Sequence, residues 1–271
     1  MDIRANLTQP STLGNSVRAV IDAMFVDECY EDGPRIVIPR PELHLAVRLG
    51  SSISGGVDIH VLGARQRVTR KIVRGGQWTI LARLQLVHAR AVLGASPSAF
   101  RGYVVPVDQV WGAADAQSLY DDLLTATSPA DAAVILERVI AGRLSPDNLY
   151  QGHSALVFEA AKRMLKANVG VVASDLGISE RHLRRVFLET VGIGPKTFVR
   201  LMRFSRATDL ARENHHASWA SIAVAVGYYD QAHLIEDFHF FAGTTPEAFR
   251  RELGNTGVLK SIDRAAACNF I

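Results

Sequence analysis

Cysteine is nearly missing from this sequence: Cys29 and Cys268 are the two in 271 residues. They stand far apart and form no spaced pair, so neither a disulfide framework nor a thiolate metal knuckle is written into the chain. No apolar run approaches the length needed to cross a bilayer, and the opening MDIRANLTQP has no apolar signal core. Together these absences give the expectation of a reduced, cytoplasmic protein without a membrane partner. The patterns GxxxxGKS/T, GxGxxG, HExxH and GxSxG do not occur, which removes the common phosphate-cradling, dinucleotide-binding, zinc-protease and nucleophile-elbow chemistries. GSSISGG has the glycines of a phosphate loop but no following lysine, and reads as a turn. Charge of either sign is also modest, with a net +3 and a pI of about 9.0. That balance suits an anionic partner without requiring one. Hydrophobic residues at 48% argue against disorder, and the length allows one or two domains.

The first half has a β texture. VRAVIDAMFVDECYEDGP suggests a strand or short helix ending in a solvated acidic loop of Asp27, Glu28, Glu31 and Asp32. RIVIP, HLAVRLG, GVDIHVLG, QRVTRKIV and WTILARLQL are short Val/Ile/Leu-rich runs bounded by Gly, Pro and Ser, which is the signature of strands in a small barrel or sandwich. In HLAVRL, Leu45, Val47 and Leu49 share one face and His44, Ala46 and Arg48 the other. Beyond Leu86 the spacing changes. HARAVLGA predicts a short helix. Ser96-Pro97 predicts a capped helical turn, and VVPVDQVWG an extended segment whose Trp111 packs at the sheet edge. Two helices follow over about 114–126 and 129–142. In the second, Val134, Ile135, Arg138 and Val139 share a face and Ser128 is the cap. This hairpin either covers the core or offers a dimer surface. RLSPDNLYQGH reads as a linker, dividing a domain at 1–145 from a helical one at 154–253, with 146–153 between and 254–271 as a peripheral tail.

The helical half contains one pattern twice. Ala173, Gly177 and Pro195 recur as Ala223, Gly227 and Pro246, an offset of about 50 residues. Each copy runs apolar helix, Gly-containing turn, then a helix with polar leading turns, the outline of a helix-turn-helix. In the first copy Ser179 is the cap, Leu183, Val186 and Phe187 face inward, and Ser179, Glu180, Arg181, Arg184 and Arg185 face outward. Arginine suits a groove-reading helix because its fork bridges guanine O6 and N7 or clamps phosphate. In the second copy Asp230 is the cap, and Gln231, Ala232, His233, Ile235 and Glu236 face outward. Gln231 can bond adenine. Glu236 repels phosphate but can accept from cytosine N4. Pro195 opens a longer helix that separates the two modules, and Thr245-Pro246 opens the closing one.

With LGISERHLRRVF in the first motif and VGYYDQAHLIEDFHFFAGTTPEAFRR in the second, residues 154–252 resemble the DNA-binding domain of the AraC/XylS family of transcription regulators. The resemblance implies seven helices, with both recognition helices on one side and entering successive major-groove segments. It assigns Arg181, Arg184 and Arg185 to one groove and Gln231, Ala232, His233 and Glu236 to the next. Where Glu236 stands, the resemblance leads one to expect a basic residue. It further implies an N-terminal cupin-like barrel that binds a small effector and dimerises. The expected fold is therefore two-domain α+β, with a β-rich barrel plus helical hairpin and an all-α domain carrying two helix-turn-helix motifs. The expected partners are double-stranded promoter DNA, RNA polymerase, a small-molecule effector and a second copy of the chain.

His44, Arg48, His60, Trp78, Arg83 and Tyr103 are the candidates to line an effector pocket, although each is also an ordinary strand residue. His44, His60 and His88 lack the tight spacing of a cupin metal site, and neither metal nor cofactor is expected. His233, Glu236 and Asp237 share a helix face, but His239 does not, so a helical metal cluster is disfavoured. An enzyme fused to the DNA-binding part would need an activated nucleophile, and Cys29 lacks such a context, so no catalytic residue is assigned. The other alternative is a barrel that serves only dimerisation or protein contacts.

Overall fold

The computed structural model describes residues 20–86, 88–144 and 153–258. The first 19 residues, most of the expected linker, the tail beyond 258 and Cys268 lie outside the described residues. The fold is two-domain α+β. Its first part contains strands β1 (Ile21–Cys29), β2 (Gly33–Val37), β3 (Leu43–Gly50), β4 (Val57–Leu62), β5 (Thr69–Val73), β6 (Gln77–Leu84) and β7 (Val104–Pro106). Helices α1 (Ala89–Leu93), α2 (Val107–Trp111), α3 (Ala113–Leu124) and α4 (Pro129–Gly142) follow among the described residues, with a 3-10 turn at Pro97–Phe100. Among the described residues the second part has seven helices: α5 (Ser154–Met164), α6 (Val169–Asp175), α7 (Glu180–Val191), α8 (Pro195–Glu213), α9 (Trp219–Ala225), α10 (Gln231–Ala242) and α11 (Pro246–Asn255). A two-residue strand, β8 (Gly257–Val258), follows.

The strands form two sheets, one ordered β1-β6-β3-β4-β7 and one ordered β5-β2-β8. Alternation sets the faces of the larger sheet as expected. Leu45, Val47 and Leu49 join Ile59, Val61, Ile80, Ala82 and Leu84 in one core, which α1 to α4 cover with Leu93, Trp111, Leu119, Leu123, Leu136 and Ile140. The smaller sheet belongs to the other core. Ile36 of β2 packs with the helices of the second part, and β2 pairs in parallel with β8.

Several local expectations are corrected. Asp27 and Glu28 are strand residues of β1, paired with Thr79 and Trp78, because the ladder to β6 continues to Cys29. VVPVDQVWG is extended only to Pro106, and α2 begins at once after it, with the proline's fixed φ at the cap position. Ser96 caps nothing with its side chain; its hydroxyl is donated to the Glu189 carbonyl instead. The inward face of α4 is Ala132, Ala133, Leu136 and Ile140, while Val134 is exposed. Of the predicted stripe, Ile135 and Val139 are partly buried against the same core, while Val134 and Arg138 face solvent, where Arg138 pairs with Asp122 at 2.9 Å. The expected peripheral tail, from 254, starts as the end of α11 and continues into β8.

The helical core is built on aromatic contacts along α8, whose 19 residues extend roughly 28 Å at 1.5 Å per residue. Near its start Phe198 meets Phe187 of α7, with ring centroids 5.2 Å apart. Six residues on, Phe204 meets Phe238 and Phe241 of α10 at 4.9 and 5.1 Å. A charged network sits beside it. Fully buried Asp237 accepts from Arg200 at 2.8 Å on one oxygen and from the Tyr228 hydroxyl at 2.8 Å on the other. Removing one member of such a pair strands a buried charge. Asp237→Ala should therefore cost about 3 kcal/mol in urea unfolding, the low end for a buried pair because Arg200 keeps partial exposure. A loss below about 1 kcal/mol would mean that the network contributes little beyond packing.

Candidate nucleic-acid interface

The two helix-turn-helix modules are built by equivalent local devices. Asn168 caps α6 and Ser218 caps α9, each accepting from a backbone N–H three residues on. The turns then need a left-handed residue, supplied by Gly177 at φ 68° and Gly227 at φ 82°. In both copies an amide reaches back to the helix five residues earlier, Ile178 to Ala173 at 3.0 Å and Tyr228 to Ala223 at 2.9 Å. Ser179 and Asp230 then cap α7 and α10, accepting from His182 and His233. The copies differ by one residue. The turn glycines are offset by 50 positions but the caps by 51, so the second turn holds an extra residue, Tyr229. It is 93% exposed. Reading the motifs for side-chain type alone overlooked it; the change of offset is the signal that would have found it.

On α7, Ser179, Glu180, Arg181, Arg184 and Arg185 are all exposed. They are not equally available. Arg184 is ion-paired with Glu180, its Nε donating at 2.9 Å. Arg185 pairs with Glu189 at 3.1 Å. Arg181 has no such partner among the described residues. The Ser179 oxygen is occupied as the cap. On α10, Gln231, Ala232 and Glu236 are exposed, and His233 is part-buried with its ring edge-on to Tyr228 at 5.3 Å. Both Asp237 oxygens are engaged in the core, so this helix offers no carboxylate–histidine cluster through Asp237. The recognition surface is unequal: α7 carries three arginines against two glutamates, whereas α10 carries one glutamate and no arginine.

In the first part, the register of the larger sheet gathers four of the six effector candidates on one face. His44 lies opposite Arg83, Ala46 opposite His60, and Arg48 opposite Asp58. This is the face away from the α1–α4 core, and it keeps Gln77, Thr79 and Arg83 buried. Asp58 holds both Arg48 and His60, the latter at 2.5 Å. Trp78 points to the opposite face and packs against the helix-covered core; Tyr103 is exposed in the turn before β7. The structure brings neither to the polar face. Burial, then the guanidinium charges of Arg83, Arg40 and Arg65, hold the His44 imidazole down to about 3, against an opposing backbone hydrogen bond at Glu42.

Residues 172–252 match the family model described as a helix-turn-helix domain. No curated protein matches the chain. Solved structures of ToxT from Vibrio cholerae are similar to it. An apo variant is 11% identical at a TM-score of 0.42, covering 85% of this chain and 97% of that one. A form bound to a naphthalenyl butenoic acid is 9% identical at 0.43, covering 84% and 97%. A form bound to an unsaturated fatty acid is 10% identical at 0.42, covering 88% and 96%. What those structures hold is a property of ToxT. Two modules with caps and turn glycines at equivalent positions and exposed second helices, matched by that family model, define a DNA-binding helix-turn-helix domain. Residues 172–252, which hold most of both modules, are thus the candidate DNA-binding part of the chain. No helix among the described residues is long and apolar enough to cross a membrane.

The His44 environment has a consequence in acid. In the unfolded chain the imidazole gains its proton near 6.5, whereas in the fold it stays neutral to about 3. The unfolded state then binds the extra proton, so stability present above about pH 6.5 declines as the pH falls toward 3. The fall in melting temperature between pH 7 and pH 5 should be smaller in His44→Gln than in the parent chain. An equal fall in both would place the acid sensitivity elsewhere.

Proposed function

We propose that α7 and α10 read two successive major-groove segments, and that the polar face of the larger sheet takes a small effector that modulates this reading. The observation that carries the first part is the exposure of the leading turns of both helices while their opposite faces are buried. Arg181 and, after exchange of their glutamate partners, Arg184 and Arg185 contact guanine or phosphate. Gln231 contacts adenine, Ala232 a thymine methyl group, His233 a base or phosphate, and Glu236 cytosine N4. Tyr229, at the leading edge of α10, reaches the neighbouring backbone. The domains divide as 1–145 and 154–253, joined by 146–153. Leu124 and Val134, exposed on the α3–α4 hairpin, support a homodimer. The chain acts by binding rather than catalysis, in the cytoplasm, and adjusts transcription through RNA polymerase.

Footprinting on the DNA upstream of its own gene and neighbouring genes should show protection over two adjacent helical turns per chain. Arg181→Ala should cost about 1–3 kcal/mol of discrimination between that site and random DNA. Equal losses on both would make Arg181 a phosphate contact. Glu180→Gln should strengthen binding to any duplex, because it removes an anion and frees Arg184. The salt slope should steepen by about 0.9 if Arg184 then neutralises one more phosphate. For the effector, a thermal-shift screen of metabolites on the full chain should find a ligand that adds about 2.7 kcal/mol at a hundred times its dissociation constant. That gain should vanish in Arg83→Ala or His60→Ala. A ligand unaffected by both substitutions, as well as by changes at His44 and Arg48, binds elsewhere and overturns this placement.

A further inference from the structure

An α-helix cannot satisfy its own last four carbonyls. In α10 these belong to His239, Phe240, Phe241 and Ala242. The first accepts from the Gly243 amide at 3.2 Å, and the other three are satisfied from the first half of the chain. Arg67 Nη1 donates to the Phe240 carbonyl, the Val68 amide to that of Phe241 at 2.8 Å, and Arg70 Nη2 to that of Ala242 at 3.1 Å. The Arg67 guanidinium also lies 4.3 Å from the Phe240 ring centre, and Arg70 is anchored to Glu252 of α11 at 2.8 Å. Two cations at a helix C-terminus match the sign of its dipole. The same arrangement recurs, in smaller form, at α7. Gly192 closes the Leu188 carbonyl at 2.9 Å, and the next carbonyl, Glu189, accepts from Ser96 Oγ at 2.8 Å. The approach there is close enough that a Cβ on Gly192 would stand 2.9 Å from the Pro97 carbonyl oxygen. Between these two ends, Arg40 pairs with Asp209 of α8 at 3.0 Å and Ser205 donates to the Pro39 carbonyl at 3.0 Å.

We infer that the β-rich half is the C-terminal cap of both recognition helices, and that Arg67 and Arg70 for α10, and Ser96 for α7, are positioning residues for DNA reading. Each recognition helix is gripped at the end remote from its groove-reading turns. A small rotation at the grip displaces the leading residues of a rigid helix of 12 residues, about 18 Å long. Base-edge hydrogen bonds tolerate little displacement, whereas phosphate contacts by long side chains tolerate more. Loss of the grip therefore removes selectivity before it removes affinity, and does so separately for each helix. The inference rests on the assignment of α7 and α10 to the two groove segments and is independent of any effector.

The test uses the full-length chain and a duplex selected by it from a random-sequence pool. Affinity is compared with two duplexes, each scrambled in one of the two protected segments. Gln231→Ala first identifies the segment read by α10. If it changes selectivity in neither segment, the assignment of α10 fails and the proposal falls with it. The double variant Arg67→Ala/Arg70→Ala should lose about tenfold discrimination in the α10 segment, the scale of one base contact, and keep that of the α7 segment. Ser96→Ala should do the reverse, and to a smaller degree. Arg67→Lys/Arg70→Lys, which still donates to carbonyls, should recover part of the loss. A merely structural role would lower both segments together along with the melting temperature; that result, or unchanged discrimination in both variants, overturns the proposal. Ser96→Ala removes a single hydroxyl and keeps the test decisive even if the double variant folds poorly.

Discussion

The helical half depends on one rigid rod. A helix cannot bend appreciably without a proline, a π-bulge or an inserted side chain, and α8 has its single proline at the first position, where it is tolerated. Phe198 near one end is sealed against the first helix-turn-helix, and Phe204 in the middle against the second. The angle between these side chains around the axis, and the rise between them, are consequences of helical geometry alone. The two modules are therefore registered to each other through covalent structure rather than through a soft interface. The same rod binds Pro39 and Arg40 on its remaining surface, so the β-rich half is registered to it as well. Asp237, fully buried among Arg200 and Tyr228, ties α10 to the rod by directional bonds that packing of phenylalanines would not supply.

Against that frame the inequality of the two recognition surfaces has a physical meaning. The α7 arginines are balanced by Glu180 and Glu189 at i, i+4 spacing, pairs worth only tenths of a kcal/mol in water. They hold the guanidinium groups in place and, on the proposed reading, give way to phosphate at little cost. On α10 the outward side chains are mostly uncharged, and Glu236 weakens attraction to the backbone. On the proposed reading α10 relies on hydrogen bonds to base edges and needs accurate placement, and it is this helix whose terminal carbonyls are held by Arg67, Val68 and Arg70. The helix with the richer charge is held by a single hydroxyl and a close backbone approach.

The polar face of the larger sheet is a second consequence of alternation. Placing Leu45, Val47 and Leu49 in the core sends His44 and Arg48 to the other side, and antiparallel register brings Arg83 and His60 beside them. A part-buried imidazole ringed by guanidinium groups stays neutral, because a further positive charge there would be repelled and poorly solvated. The face thus keeps its hydrogen-bonding character over the ordinary pH range.

Much of this was legible in one dimension. The period-2 runs gave the strands, and caps such as Ser179, Asp230 and Thr245 are local devices whose partners lie three residues away. The recognition helices and their outward residues follow from 3.6-residue periodicity, and the repeat of Ala, Gly and Pro marked the two modules. The failures are equally physical. The face of α4 was ambiguous because its apolar arc is wide, and only packing against the larger sheet's core put Leu136 and Ile140 at its centre. Glu180 is a neighbour in sequence, yet its capture of Arg184 depends on a rotamer choice that spacing merely permits. Ser96 looked like a cap because Ser-Pro favours one, but the Glu189 carbonyl won its hydroxyl. Arg67 and Arg70 read as ordinary strand residues, since the carbonyls they bind are more than 170 positions away. The sequence by itself determined each helix, strand and turn whose stabilising partners are local. Only the tertiary structure decided which half of the chain closes the ends of the recognition helices, because an unsatisfied carbonyl carries no mark in the sequence of the donor that will reach it.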